Sequence, residues 1–450
     1  MKDMTIGSPF KHVIYFTIPL LLGNFAQQLY TLADTVIVGR TLGTSALGSI
    51  GAVVSLIFFI QGFVIGVGSG LSIVLAQRFG SKNEQRIHDS YVTSMGIAFV
   101  LSVVISIVSI LLSDTLLTAL KIPQALYSDS KAYFTTAMFG LIIVMGFNLF
   151  SNVMRAMGST KTLLWYSVLS YALNFLLDVI LIVVFSFGVV GVAIATMLSQ
   201  LIVSVLIFRH LSKRYPVLKL NKNDWKLKGD ELRLHLTISV PIGLQNSIIS
   251  IGNIVLQFKL NELTLGNIEA HAIATRLEGM VTAPMMTIGV ATATFVAQNY
   301  GAGLTDRIWQ GIRTSLILSV TYGFFMGGLV YFKGSTIVAW LVGATNEATT
   351  NSIEAYFKMT ALFYVFLAVL FVLRYSLQGM GRTIAPTISG LVEMGIRSFV
   401  PLIFVGTFGF PAIAYSHPLA WFSTMAILLI STYLFMKNDR NKWWKRALLR

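Results

Sequence analysis

The stretch AQRFGSKNEQRI at residues 76–87 returns in altered form as AQNYGAGLTDRI at residues 297–308. The two copies share Ala, Gln, Gly, Arg and Ile at the same spacing. Two further pairs occur in the same order at nearly the same separation, IP (18–19) with VP (240–241) and MRAMGSTKT (154–162) with LQGMGRTIA (377–385). Three matches in one order at nearly one offset predict that the chain consists of two homologous halves. Repeats of this kind are typical of secondary transporters.

The composition is that of a membrane protein. Of 450 residues, 55% are hydrophobic and 11% are charged, and the mean hydropathy is +0.76. A soluble protein keeps about a quarter of its residues charged, so the soluble class is excluded. The chain has no cysteine. Disulfide frameworks, thiolate metal sites and thiol catalysis are therefore excluded as well.

Apolar stretches long enough to cross the bilayer occur twelve times, since about 20 residues span roughly 30 Å of hydrocarbon. They lie at 13–38, 50–75, 92–112, 133–154, 163–185, 189–210, 237–258, 273–297, 314–332, 355–376, 384–408 and 412–436. We therefore predict an all-α integral membrane protein, with twelve transmembrane helices in two pseudo-symmetric six-helix bundles. Because six is even, the halves share one orientation and are parallel repeats.

The predicted domains follow from these spans. Residues 1–210 form an N-lobe, 211–236 a Lys-rich cytoplasmic linker, 237–436 a C-lobe and 437–450 a basic cytoplasmic tail. The formal charge is +15, and 25 of the 33 Lys and Arg residues, Arg374 included, fall on the side of the termini. The positive-inside rule then predicts that both termini are cytoplasmic in a multi-pass plasma-membrane protein. The excess charge thus reports topology, and the expected partner is the lipid bilayer and not nucleic acid.

Polar residues inside the first-half spans stand at similar depth. At 1.5 Å per residue, Asp34 and Asp178 each lie roughly 22 Å from the cytoplasmic side. Asn174 precedes Asp178 by four residues and shares its helix face. Thr196 lies roughly 10 Å from the outer side, while Asn174 and Asn148 sit about a turn deeper. These five residues are the predicted ion-coupling site.

Such a cluster has two chemical interpretations. Carboxylate, amide and hydroxyl oxygens suit a hard cation such as Na⁺. Two crowded carboxyl groups equally suit a shared proton, H⁺. A single Asn or Thr in a span more often makes a helix–helix hydrogen bond, whereas an intramembrane Asp is functional by default. The sequence contains no HExxH, GxSxG or Walker A motif. We expect no enzyme activity and no resident cofactor, and transport would use an ion gradient.

The second half carries different charges. At the repeat offset Arg397 takes the place of Asn174, and Glu393 precedes Arg397 by four residues. We interpret Glu393 and Arg397 as a structural ion pair. Glu278 stands beside Arg276 near the start of the eighth span and is interpreted as a rim charge, with a substrate counter-ion as the alternative.

The whole set of motifs resembles the multidrug and toxic compound extrusion (MATE) family. The segments that carry the resemblance span nearly the whole chain: IPLLLGNFAQQLYTLADTVIVGRTLG (18–43), RAMGSTKT (155–162), NFLLD (174–178), GVAIATMLSQ (191–200) and GMVTAPMMTIGVATATFVAQNYGAG (279–303). The resemblance implies a V-shaped pair of bundles and antiport of Na⁺ or H⁺ against organic cations and other drugs. It also assigns the family's N-lobe positions to the same five residues, Asp34, Asn148, Asn174, Asp178 and Thr196.

The resemblance also has a limit. The NorM-like branch carries acids in the seventh and tenth helices, but GLQNSIISIGNIVLQF (243–258) and ALFYVFLAVLFVL (361–373) have none. The chain is therefore closer to the branches that rely on the N-lobe site.

The expected mechanism is alternating access by a monomer. An ion bound at Asp34, Asn174, Asp178 and Thr196 repacks the first helix, with Pro19 and Gly23 as hinge candidates, and lowers drug affinity between the bundles. A flippase for a lipid-linked precursor and a receptor or scaffold without transport are the alternatives. The sequence leaves Na⁺ and H⁺ open.

Overall fold

The structure is a computed structural model that describes residues 3–221, 224, 228–343 and 346–447, without the side chains of 342 and of 438–447. Within these residues the regular structure is helical and contains no strand. The α-helices are α1 Pro9–Thr41, α2 Gly43–Gly80, α3 Glu84–Leu111, α4 Ser113–Ala119, α5 Gln124–Phe139, α6 Leu141–Ala156, α7 Thr160–Asp178, α8 Gly188–Arg214, α9 Gly229–Leu260, α10 Leu265–Gly301, α11 Thr305–Val342, α12 Glu347–Thr360, α13 Tyr364–Gly379, α14 Ile384–Phe408 and α15 Phe410–Ala447. A π-helical stretch, Val179–Val184, continues α7.

Most of these helices can cross a membrane. Among the described residues ten helices are long and apolar enough, or eleven if α5 and α6 count as one span with a 46° bend. Each overlaps one predicted apolar stretch. Helix α1 has 33 residues, enough for about 50 Å, but its middle carries polar residues and it is not among the ten. The predicted all-α membrane architecture is confirmed.

The bend between α5 and α6 lies at Gly140, where α8 packs closely. A Cβ atom on Gly140 would lie 2.4 Å from Cγ of Met197. A side chain at position 140 would require the Met197 side chain to move, so glycine favours this close approach. The apolar pattern predicted one continuous fourth span, because hydropathy does not register such a contact.

Related positions in the two halves adopt related backbone conformations. Helix α2 is followed by Lys82 at φ 55°, and α10 is followed at the equivalent position by Gly303 at φ 73°. Gly158 after α6 and Gly381 after α13 both have φ 73°. A left-handed residue just beyond a helix end satisfies the last carbonyl groups and stops the helix. The repeated motifs are thus repeated helix stops.

The chain divides into two compact units. The first contains residues 1–7, 15–247 and 297–304, and the second contains 8–14, 248–296 and 305–450. In the first unit Leu71, Tyr91 and Phe134 are fully buried in a core built from α2, α3 and α5. In the second, Tyr356 and Trp421 are among the largest buried side chains. One of the boundaries between the units lies inside α9. The described part of the predicted linker 211–236 contains the end of α8, a short 3₁₀ turn at Pro216–Leu218 and the start of α9.

Candidate functional site

Two carboxyl groups meet inside the first unit. Asp34 near the end of α1 and Asp178 at the end of α7 are in hydrogen-bonding contact with each other. Asp178 is fully buried. A carboxylate only accepts hydrogen bonds, so this contact requires a proton on one of the two groups or a cation between them.

Asn174 and Thr196 complete the polar surroundings of Asp178. With its amide nitrogen toward Asp178, Asn174 donates to Oδ2 of Asp178 at 2.6 Å and to Oη of Tyr30 at 3.0 Å. Its oxygen then accepts from the backbone N of Thr196 at 3.0 Å and from Oγ1 at 3.2 Å. Oγ of Ser199 lies 3.5 Å from the Asn174 amide, one turn beyond Thr196. The amide thus ties α1, α7 and α8 together at the two acids.

Aromatic side chains cover this cluster. The ring of Tyr30 stacks on Tyr171 at 5.5 Å between centroids and 7° between planes, and its hydroxyl bonds to Thr196. Tyr133 interacts electrostatically with Asp34 and Asp178. None of the three tyrosines was predicted from the sequence. For two of them a signal exists, because Tyr30 precedes Asp34 by four residues and Tyr171 precedes Asn174 by three, on the same helix faces.

The oxygen atoms of this site fit a bound ion. Oδ1 of Asp34 and Oδ1 of Asp178 are both buried without a hydrogen-bond donor. Buried acceptors without a partner are rare and costly, and they are commonly satisfied by an ion, a proton or a water molecule. Two carboxylates, an amide oxygen and a hydroxyl form a suitable donor set for Na⁺. A single proton between the carboxyl groups would satisfy the same atoms.

The backbone changes directly after the second acid. Helix α7 ends at Asp178, and the next turn, Val179–Val184, has π-helical hydrogen bonding. Such wide turns are rare and occur frequently at functional sites. Here the wide turn lets the chain leave α7 while Asn174 and Asp178 keep the spacing that places them on one face.

Three predicted residues lie apart from these contacts. Asn148 in α6 donates its side-chain amide to the Val144 carbonyl at 2.9 Å, within its own helix. Pro19 lies inside the continuous helix α1. A Cβ atom on Gly23 would meet Leu164 at 3.7 Å, which is ordinary contact. None of the contacts described here joins these three residues to the carboxyl pair.

In the second unit Glu393 lies between two arginines. Oε2 of Glu393 is 2.7 Å from Nη2 of Arg374, and Oε1 is 2.9 Å from Nη2 of Arg397. Arg397 also donates to Oδ1 of Asn253 at 2.8 Å. Arg374, counted above among the cations on the side of the termini, is not part of an exposed loop, because its side chain is buried in this ion pair.

The interpretation of Glu278 as a rim charge is also wrong. Its side chain is only 8% exposed and accepts a hydrogen bond from Oη of Tyr356 at 3.1 Å. The adjacent Arg276 is exposed. Neighbouring residues on a helix point in different directions, and the charge of Arg276 says nothing about the burial of Glu278.

The family is decided by a match in each half of the chain. The MatE family model matches residues 19–180 and again residues 241–403. The chain belongs to the MATE family. The two matched segments begin at the prolines of the IP and VP pair. The repeat found in the sequence therefore coincides with the two matches to the family model. MATE proteins are transporters and not enzymes, and this one is a multi-pass membrane protein.

Relatives of this MATE protein cover most of its length. The probable multidrug resistance protein YpnP of Bacillus subtilis is 25% identical over 402 residues, 88% of each chain. The probable multidrug resistance protein NorM of Thermotoga maritima is 26% identical over 452 residues, 98% of this chain and 94% of its own. The solved outward-facing structure of a multidrug resistance MATE transporter of the MOP superfamily has a TM-score of 0.89 at 20% identity, and it covers 97% of this chain and 98% of the other. That likeness supports the fold.

Proposed function

We propose that this MATE transporter exports organic, often cationic, compounds from the cell in antiport with Na⁺ or H⁺. The coupling ion binds at Asp34 and Asp178, with Asn174 and Thr196 as neighbouring ligands. The observation that carries the proposal is the direct contact of two carboxyl groups on separate helices, each with one buried oxygen that lacks a donor. Paired acids inside a membrane protein mark ion and proton pathways.

Either ion finds its chemistry in this cluster. A proton would be held between Asp34 and Asp178, because two carboxylates at contact distance do not both stay ionised. Na⁺ would take oxygen ligands from both acids, the Asn174 amide and the Thr196 hydroxyl. The Asn174 amide can serve either ion, because its nitrogen donates to a carboxylate and its oxygen can bind a cation. The stacked rings of Tyr30 and Tyr171 limit the access of water.

Coupling requires that ion and drug favour opposite states of the protein. Asp34 resides on α1, which contains Pro19 and so lacks one backbone hydrogen bond in its interior. Binding of an ion between Asp34 and Asp178 draws α1 toward α7 and α8. Release of the ion frees α1 to bend near Pro19 and Gly23. Bending of α1 changes the drug-binding surface, and in this way the ion gradient drives export.

Support for the substrate class comes from the relatives, because YpnP and the Thermotoga NorM are both named probable multidrug resistance proteins. A flippase for lipid-linked phosphates would need free arginines in its spans. Arg374 and Arg397 are instead ion-paired with Glu393, which favours drug export. The distribution of Lys and Arg residues supports cytoplasmic termini. In this proposal the transporter acts as a monomer.

Reconstitution into proteoliposomes tests the proposal. Export of a fluorescent organic cation is measured under a Na⁺ gradient alone and then under a pH gradient alone. We expect one gradient to drive export in wild type and neither to do so in Asp34→Asn or Asp178→Asn. Asp114→Asn is the matched control, because Asp114 lies on α4 with its side chain 64% exposed. Wild-type export rates in both site variants would refute the site.

A further inference from the structure

The second unit contains a group of titratable side chains that the antiport proposal leaves unused. We call it the Glu278 cluster: Glu278 and His271 of α10, Tyr356 of α12 and His417 of α15. All four are more than nine-tenths buried, with exposures between 0% and 8%. Burial of this many polar groups in one place costs free energy unless their hydrogen-bonding atoms are used.

Their contacts are close but incomplete. Oη of Tyr356 donates to Oε2 of Glu278 at 3.1 Å. Nδ1 of His417 lies 3.8 Å from Oε1 of Glu278, which is too long for a hydrogen bond and short enough for an ion pair. The rings of His271, Tyr356 and His417 lie 5.7 to 5.9 Å apart between centroids.

Three nitrogen atoms of the cluster have no hydrogen-bond partner. They are Nδ1 and Nε2 of His417 and Nδ1 of His271. Few buried side-chain nitrogens in proteins lack a partner, and each one calls for an explanation. An imidazole nitrogen that faces a carboxyl group is ready to take up or pass on a proton.

The charged groups around the cluster belong to the helices packed beside it. From α14, Arg397 interacts electrostatically with Glu278, His271 and His417. From α13, Tyr364 interacts with Glu278. Arg397 and Arg374 share the single carboxylate of Glu393. With Glu278 ionised and both histidines neutral, the charges of these four acidic and basic side chains sum to zero, and uptake of one proton changes the net charge of the region by one unit.

We propose that Glu278 and His417 together form a binding site for one proton in the second unit, with Tyr356 as the donor that holds the carboxyl group and His271 as the flanking ring. One proton arrives from water and joins the Glu278–His417 pair, and no other group leaves. It closes the 3.8 Å separation into a hydrogen bond. A proton is the one ligand that needs no added volume among side chains this closely packed. The site is separate from Asp34 and Asp178, which belong to the first unit.

Infrared spectroscopy tests this site without any transport. The purified full chain with Asp34→Asn and Asp178→Asn is titrated in detergent over the pH range in which it stays folded, and the absorption of protonated carboxyl groups is followed. Because both first-unit acids are absent, failure of the antiport proposal leaves the test intact. We expect a band of a buried carboxylic acid that disappears when Glu278→Gln is added. The same band in both proteins, or no such band in either, would overturn the proposal.

Two further variants keep the test valid if Glu278→Gln does not fold. His417→Gln and Tyr356→Phe each remove one partner of Glu278, and each is expected to move the midpoint of the carboxyl titration by about one pH unit. Glu354→Gln is the matched control on α12, because Glu354 pairs with Lys358 and its side chain is 46% exposed. An unchanged midpoint in both partner variants would show that Glu278 titrates alone and would refute the pair.

Discussion

Asp34 on α1 and Asp178 at the end of α7 make carboxyl-to-carboxyl contact, although most of the first unit separates them in the chain. Each has one oxygen that is buried without a donor. Because the two groups share a proton or a cation, they titrate and bind as a pair and not as independent residues.

The first prediction concerns this pairing. Asp34→Asn and Asp178→Asn are each expected to lower gradient-driven export at least about tenfold, or about 1.4 kcal/mol in coupling. The double variant should be no slower than the slower single variant, because the pair is already broken. Initial rates in proteoliposomes provide the measurement. Additive losses would mean that the two acids act independently.

The second prediction concerns the buried ion pairs of Glu393. Glu393→Gln leaves Arg374 and Arg397 without their carboxylate, and removing one partner of a buried pair typically costs about 3–5 kcal/mol. We expect a marked fall in the thermal unfolding midpoint in detergent. Glu354→Gln, which breaks a solvent-exposed pair with Lys358, should leave that midpoint unchanged. Equal effects of the two changes would contradict the structural role of Glu393.

The third prediction concerns two glycines in the repeated AQ motifs, both in the first unit. A Cβ atom on Gly80 would lie 1.9 Å from the Gln298 carbonyl oxygen, and one on Gly301 would lie 1.8 Å from that of Gln77. Gly80→Ala or Gly301→Ala is expected to cost about 1–3 kcal/mol through overpacking. Gly51→Ala on α2 meets nothing within 4 Å and should be neutral or stabilising. Thermal unfolding compares the three variants, and a neutral Gly80→Ala would disprove the close contact.

The fourth prediction concerns pH and the N-terminal segment. Partial burial raises the pKa of the Asp3 carboxyl, but hydrogen bonds from Thr5 and the charge of Lys82, 3.2 Å away, outweigh it, and the pKa lies below its ordinary value. A lowered pKa stabilises the folded state above the unfolded pKa of about 3.9, and this contribution is lost as the pH falls through the folded value.

Asp3→Asn should therefore lower the unfolding temperature at pH 7, and this difference should disappear only as the pH falls through the lowered pKa of Asp3 in the folded protein. Lys82→Met removes the neighbouring charge and keeps the Thr5 bonds, so its effect at pH 7 should be smaller. A penalty for Asp3→Asn that does not vary with pH would contradict the assignment.

Much of the fold could be predicted from the chain because lipid imposes a simple pattern on it. The repeat at residues 76–87 and 297–308 predicted two related halves, and the MatE family model matches a segment in each half. The ends of the helices were less predictable. Helix α10 begins at Leu265, ahead of the predicted 273, because backbone hydrogen bonding continues past the apolar stretch.

The candidate site shows a similar division. Asn174 and Asp178 could be placed together from helix spacing, and Asp34 could be matched to them from depth. Tyr30 and Tyr171 looked like ordinary members of apolar spans. Arg374 stands at the end of such a span, but its long side chain reaches Glu393 inside the bundle. Sequence spacing on one helix contains no information about which partner a side chain meets on another.

The wide, π-helical turn at Val179–Val184 continues α7 beyond Asp178. Shifting its backbone bonds by one residue to an ordinary helix would rotate everything beyond it by about 100°. Asn174 and Asp178 precede this turn, so their side chains would keep their direction. The segment that leads into α8 would rotate. The π-helical turn therefore sets the direction in which the chain enters α8 without changing the helix face that carries both Asn174 and Asp178.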